Sequence, residues 1–157
     1  MATFPLRHRP KASYKERPRS FGGPRDGGKR KHAGCDLYAP AGTEVLAVAD
    51  GTVVRGPYLF YDGVYAVEIN HPGIGIVRYG EVQNTPAGHP GIQGPVKAGQ
   101  VIGHVGKMNT VPQSMLHFEM FDGTATGPLT VKGAGSFSRR SDLQDPTEFL
   151  DGCVAEA

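Results

Sequence analysis

Three side chains in this sequence have the types needed to hold a metal ion. His32 and Asp36 lie four residues apart in KHAGCD (31–36), and His117 sits in QSMLHFEMF (113–121). Two imidazoles and one carboxylate are a ligand set of catalytic zinc, which keeps its fourth position for water. An ion so held lowers the pKa of water toward neutrality and polarises a carbonyl as a Lewis acid. The spacing sets a condition. In a straight strand His32 and Asp36 would stand roughly 13 Å apart, so the chain has to bend between them, most easily at Ala33-Gly34. In a chain with six histidines, His-x-x-x-Asp alone is a weak signal. A lone strand histidine such as His117 is more often structural than a ligand, and spacing does not bring it to the pair.

The elements that must position these residues read as strands. In SMLHFEMF, Leu116, Phe118 and Met120 make one apolar face, while Met115, His117, Glu119 and Phe121 alternate onto the other. TEVLAVA, the turn Asp50-Gly51 and TVVRG predict a hairpin ended by Pro57. After Asp62-Gly63, VYAVEINH alternates; HPGIG turns the chain and GIVRYGEV returns as its partner. Residues 83–95 and 122–141 are loops by composition, and DPTEFL (145–150) predicts one closing helical turn capped by Asp145. The expected class is all-β: a mainly antiparallel, two-layer β-sandwich-like domain, loop-rich and with very little helix.

Composition agrees and narrows the function classes. Gly 23 and Pro 13 in 157 residues favour turns and short strands over long helices. No apolar run approaches the 18 residues or so of a membrane span, and MATFPLRHRPK has no apolar signal core. Residues 1–32 hold ten Lys/Arg against Glu16 and Asp26, a local +8, which leaves about −6 for the remainder. The expected division is a solvated basic arm (1–28), a folded domain (29–151) and a short tail (152–157). A basic arm suits an anionic wall polymer. Nucleic acid is not expected, because no recognised motif accompanies the charge. Cys35 and Cys153 are too few for a disulfide framework.

The order of segments resembles the lysostaphin-type (LytM-like) zinc metallopeptidases over roughly residues 20–150. FGGPRDGGKRKHAGCDLYAPAGTEVLAVADGTVV is similar to their opening, in which His-x-x-x-Asp precedes a strand of the Ala-Pro-x-Gly-Thr type. INHPGIGIVRYGEV resembles their stretch ending in Tyr-x-His. VKAGQVIGHVG matches their Val-x-x-Gly-x-x-Ile-Gly pattern, SMLHFEMF lies where they carry His-x-His-Phe-Glu, and DPTEFL resembles their closing segment.

The resemblance implies that His32, Asp36 and His117 bind Zn2+ and that the chain is a zinc metallo-endopeptidase hydrolysing peptide bonds of bacterial peptidoglycan. It also implies that Tyr79 lines the substrate groove and that His71 holds its glycine turn. Two departures stand out. Met115 replaces the first histidine of His-x-His, and Glu81 replaces the histidine of Tyr-x-His. Met115 has no proton to exchange and is expected to fill an apolar gap. For Glu81 three fates stay open: general base, fourth zinc ligand, or exposed residue without a role. The alternative function is a catalytically inactive, zinc-stabilised cell-wall or protein binding module of the same fold. A wall target with no visible signal peptide implies delivery by a phage or contact-dependent secretion route, with an immunity or delivery protein as a further partner.

Overall fold

The structure, a computed structural model, describes residues 1–87, 89 and 91–156. Gly88 and Pro90, within the loop expected over 83–95, lie outside the described residues. Among the described residues, eleven strands and one α-helix follow in order, with a 3-10 turn (Asp26–Gly28) between the first two strands. They are β1 (Pro24–Arg25), β2 (Arg30–Lys31), β3 (Cys35–Tyr38), β4 (Glu44–Leu46), β5 (Gly51–Tyr61), β6 (Val64–His71), β7 (Gly75–Val82), β8 (Pro95–Val96), β9 (Val101–His104), β10 (Met115–Phe121), β11 (Leu143–Gln144) and α1 (Thr147–Gly152). All strand pairings between these elements are antiparallel. The large sheet runs β11-β10-β7-β6-β5-β8, and β3 shares the outer edge of β10 with β11. Small two-stranded sheets, β4-β9 and β1-β2, complete the architecture. No helix among the described residues is long and apolar enough to cross a membrane.

The core lies where alternation puts it. Val67 and Ile69 of β6, Val77 and Tyr79 of β7, and Leu116 and Phe118 of β10 pack with Val45 of β4 and Ile102 of β9 in one cluster. Each of the large aliphatic and aromatic side chains so buried contributes about 1.5–3 kcal/mol of transfer free energy. β6 and β7 form the expected hairpin, closing at His71↔Gly75. Pro146 rather than the expected Asp145 is the N-cap of α1, but the Asp145 carboxylate still holds its first residue, accepting from Thr147 N and Oγ1 at 2.9 and 2.6 Å.

The hairpin expected across Asp50-Gly51 does not form. β4 pairs with β9, and β5 pairs with β6 and β8. Nor does Pro57 end the strand: β5 continues to Tyr61, with register shifts between Val53 and Arg55 and between Arg55 and Tyr58 that absorb it. The turn signal is therefore used to pass the chain from the small sheet to the large one.

Residues 1–28, expected as a solvated arm, place Phe4, Leu6 and Tyr14 in the same core as the strands. Phe4 N donates to Val154 O at 2.8 Å, Arg7 pairs with Glu44 at 2.7 Å, and Cys153 is buried beside them. The count of charges concealed three apolar anchors that are enough to lay this segment down.

Candidate metal centre

Strand β10 organises the site. His117 is paired directly with Asp36 of β3 on one side and with Gly80 of β7 on the other. Residues opposite one another in an antiparallel pair share a face, so the Asp36 carboxylate is delivered beside the His117 ring. Cys35, one position earlier, turns into the core opposite Phe118, as alternation requires. His32 reaches the same face because the chain bends where glycine allows it. A Cβ on Gly34 would sit 2.4 Å from Phe118 O and 3.1 Å from Glu119 Cγ. Gly34→Ala is therefore expected to lower stability by about 1–3 kcal/mol, read as a shift of the denaturation midpoint, with weakened zinc binding.

Three donor atoms converge. Asp36 Oδ1 lies 3.1 Å from His32 Nε2 and 2.9 Å from His117 Nδ1, and the two nitrogens are 3.2 Å apart. A tetrahedral zinc site with bonds near 2.0–2.1 Å has edges of about 3.3 Å, so the triangle is close to the right size. All three residues are buried. The remaining ring nitrogens are already committed: His32 Nδ1 to Ser20 O at 3.0 Å, and His117 Nε2 to Glu119 Oε2 at 2.6 Å. Such partners fix the tautomer and turn the other nitrogen's lone pair inward. With no ion between them, the same two nitrogens carry protons toward Asp36: burial pushes its carboxyl up, but hydrogen bonds from His117 and His32, which a bound ion would replace, outweigh that and hold the group at about 2. The donor set and its geometry fit zinc.

Glu119 is the support sequence reasoning overlooked. It is fully buried and accepts from Arg78 at 2.8 Å and Arg139 at 3.0 Å as well as from His117. Arg139, expected in an exposed loop, thus closes over the site. The signal was present in the i, i+2 spacing of His117 and Glu119 on one strand face.

Glu81 reaches the cleft by a backbone device. Regular alternation would aim it with Tyr79 into the core. Between Tyr65↔Val82 and Ala66↔Gly80, however, β7 carries one residue more than β6, and that residue is Glu81. Its φ is +66°, a left-handed conformation costing roughly 1–2 kcal/mol for a residue with a Cβ. The bulge re-aims the side chain into the cleft that His32, Asp36 and His117 line. Tyr61 OH donates to Glu81 Oε2, while Oε1 is buried without a hydrogen-bond partner. Glu81 contributes no atom to the three-residue cluster, whose donors all lie within 4.8 Å of one another.

Burial pushes the Glu81 carboxyl up to about 7. A carboxyl raised on folding destabilises the native state as pH climbs from its unfolded value to the folded one, and the cost is constant above that. In chelator-treated protein, Glu81→Gln is thus expected to raise stability by roughly 3 kcal/mol at pH 8. It should have little effect at pH 4.5, as thermal melts at the two pH values would show.

Met115 packs with Val64 and Met108 as an apolar wall, as expected of a gap-filler. Tyr79 does not line the groove. It is fully buried on the core face opposite Phe118, and its hydroxyl lies 2.9 Å from His71 Nε2 and accepts from Val48 N at 3.1 Å. That contact, with His71 Nδ1 at 3.1 Å from Asp50 O, ties His71 to the turn before β5. Tyr58, Phe60 and Tyr61 of β5 supply the aromatic lining instead, around a cleft of about 600 Å³. Cys35 and Cys153 are both buried free thiols.

Residues 30–128, which carry the two histidines, Asp36 and Glu81, match the model of peptidase family M23. The chain belongs to peptidase family M23. The peptidoglycan DD-endopeptidase ShyC, from Vibrio cholerae serotype O1, is 34% identical over 106 residues, 66% of this chain and 23% of ShyC. The chain therefore spans less than a quarter of that curated relative's length. Among solved structures, LytU superposes with a TM-score of 0.59 at 26% identity over 84% of this chain and 81% of that one. The catalytic domain of lysostaphin from Staphylococcus simulans gives a TM-score of 0.60 at 24% identity, over 84% and 89%, a likeness of fold.

Proposed function

We propose that the chain is a zinc-dependent endopeptidase hydrolysing peptide bonds of bacterial peptidoglycan, with Glu81 doing the proton transfer in place of the family's histidine. His32 Nε2, Asp36 Oδ1 and His117 Nδ1 would hold the ion. When bound, zinc supplies a Lewis acid that acidifies water and polarises a scissile carbonyl. Glu81 Oε1 takes the proton of the attacking water and delivers it to the leaving amine nitrogen as the C–N bond breaks. Tyr61 holds the other carboxylate oxygen and so fixes the orientation of Oε1. The observation that carries this reading is the left-handed bulge residue: strain at a buried carboxylate with an unpartnered oxygen, beside a preformed donor triangle, is what a positioned base requires. Membership of family M23 and the similarity to a peptidoglycan endopeptidase support the substrate class.

Met115 favours a second reading, a zinc-stabilised wall-binding module, because a thioether offers the reaction no strong hydrogen bond. A digest of purified peptidoglycan separates the two. Zinc-loaded protein should release peptide fragments with new amine ends, identified by mass, and a chelator should abolish release until zinc is restored. Wall binding with no fragments would leave only the module.

A further inference from the structure

Each histidine of the donor triangle leans on a segment outside residues 30–128, the span that matches the family model. For His32 it is the turn over residues 20–23. Its Nδ1 donates to Ser20 O at 3.0 Å, its backbone N donates to Gly23 O at 2.8 Å, and its carbonyl accepts from Gly22 N at 2.8 Å. Arg19 O, one residue earlier, accepts from Asp36 N at 2.9 Å, so the same segment steadies the backbone of a second ligand. For His117 the segment is C-terminal. Its partner Glu119 is bound by Arg139, and Arg139 Nη1 donates to Ser138 O at 3.1 Å, which ties that side chain to its own loop.

Neither residues 20–23 nor residues 131–138 belong to a strand, so their placement depends largely on what their side chains meet. They meet each other. The half-buried ring of Phe21, next to Ser20, stacks on the half-buried ring of Phe137, two residues before Arg139. The centroids are 4.9 Å apart and the planes lie 21° from parallel, within the range of a favourable aromatic pair. Lys31, beside His32, reinforces the joint. Its N donates to Ser136 O at 2.8 Å, and its ammonium lies 5.9 Å from the Phe137 centroid. The path from His32 through Ser20, Phe21, Phe137, Arg139 and Glu119 to His117 is thus unbroken.

We propose that the Phe21–Phe137 stack is a positioning contact for the metal centre, locking the outer partners of both imidazoles to each other. The role rests on the zinc reading of the triangle and extends it to two side chains that touch no ligand atom. With the rings stacked, neither histidine can turn without displacing the support of the other. Without them, each imidazole keeps its hydrogen bond, but to a turn that can drift. A donor set held in place beforehand binds more tightly, because less has to be ordered when the ion arrives.

Chelator competition on the full-length protein reads zinc affinity in Phe21→Leu, Phe137→Leu and the double variant, in which apolar bulk stays but the ring faces go. Each single variant should bind zinc about tenfold more weakly than wild type. The double variant should be no weaker than either single one, because breaking the joint once already frees both turns. Phe21→Tyr, which keeps the ring, should bind as wild type does. A stack that only stabilises the fold would lower the thermal midpoint of chelator-treated protein and leave zinc affinity unchanged in every variant, and that result overturns the proposal. Losses that add in the double variant, or a Phe21→Tyr protein as weak as Phe21→Leu, overturn it too. Phe21 also packs on the core; if Phe21→Leu does not fold, Phe137→Leu decides alone, by losing affinity or by keeping it. A wild type that binds no zinc removes the zinc reading together with the role of the stack. A wild type and variants that bind alike remove only the latter.

Discussion

Glu81→Gln should cut peptidoglycan hydrolysis by about a hundred- to ten-thousand-fold, the range in which a positioned acid-base group contributes, while zinc affinity stays unchanged. Glutamine keeps the volume and can still accept from Tyr61, so the bulge and the aromatic contact survive. What is lost is the atom that takes a proton. Because Glu81 stands outside the three-atom donor triangle, zinc titration in competition with a chelator should give the same affinity for both proteins. A variant that hydrolyses at the wild-type rate would show that protons move by another route. A variant that loses zinc along with activity would make Glu81 a ligand rather than a base.

Glu119→Ala should do damage of another kind. Its carboxylate meets the buried Arg78 and His117 and the half-buried Arg139, and without it Arg78 is left 2% exposed with its charge uncompensated. Breaking a buried pair from one side costs about 3–5 kcal/mol. His117 Nε2 also loses the acceptor that turns Nδ1 inward, for which about ten- to a hundredfold in metal affinity is the usual penalty. Urea denaturation and chelator competition read the two effects independently. Glu119→Gln restores an acceptor for His117 but not the charge for Arg78, so it should recover zinc affinity more than stability. An unchanged denaturation midpoint in Glu119→Ala would mean that the arginines find solvent instead.

The donor triangle was largely legible in the sequence. The spacing of His32 and Asp36 demanded a bend, and Gly34, pressed against the Phe118 carbonyl, supplies it. The third member came from the order of segments, because no spacing rule connects positions 32 and 117. What could not be read was decided by non-local contacts. The Asp50-Gly51 signal is a good turn, but whether the strands beside it pair depends on β9 and β8, which arrive 40 to 50 residues later. The family resemblance puts Tyr79 in the groove, although it shares the face of Val77 and so belongs to the core. Glu81 would have been placed there too by strict alternation. The extra residue that turns it outward leaves no mark in composition or period. Phe4, Leu6 and Tyr14 were overshadowed by the surrounding charge, yet a few buried rings outweigh many solvated lysines and arginines.

The bulge at position 81 has an evolutionary implication. A backbone that turns its occupant toward the cleft separates the aiming of a side chain from its chemistry, so under the proposed mechanism the proton carrier there is a replaceable fitting in a fixed mount. Histidine tolerates left-handed φ better than most residues. Under that mechanism, substitution at this one position would exchange imidazole for carboxylate without rebuilding the sheet.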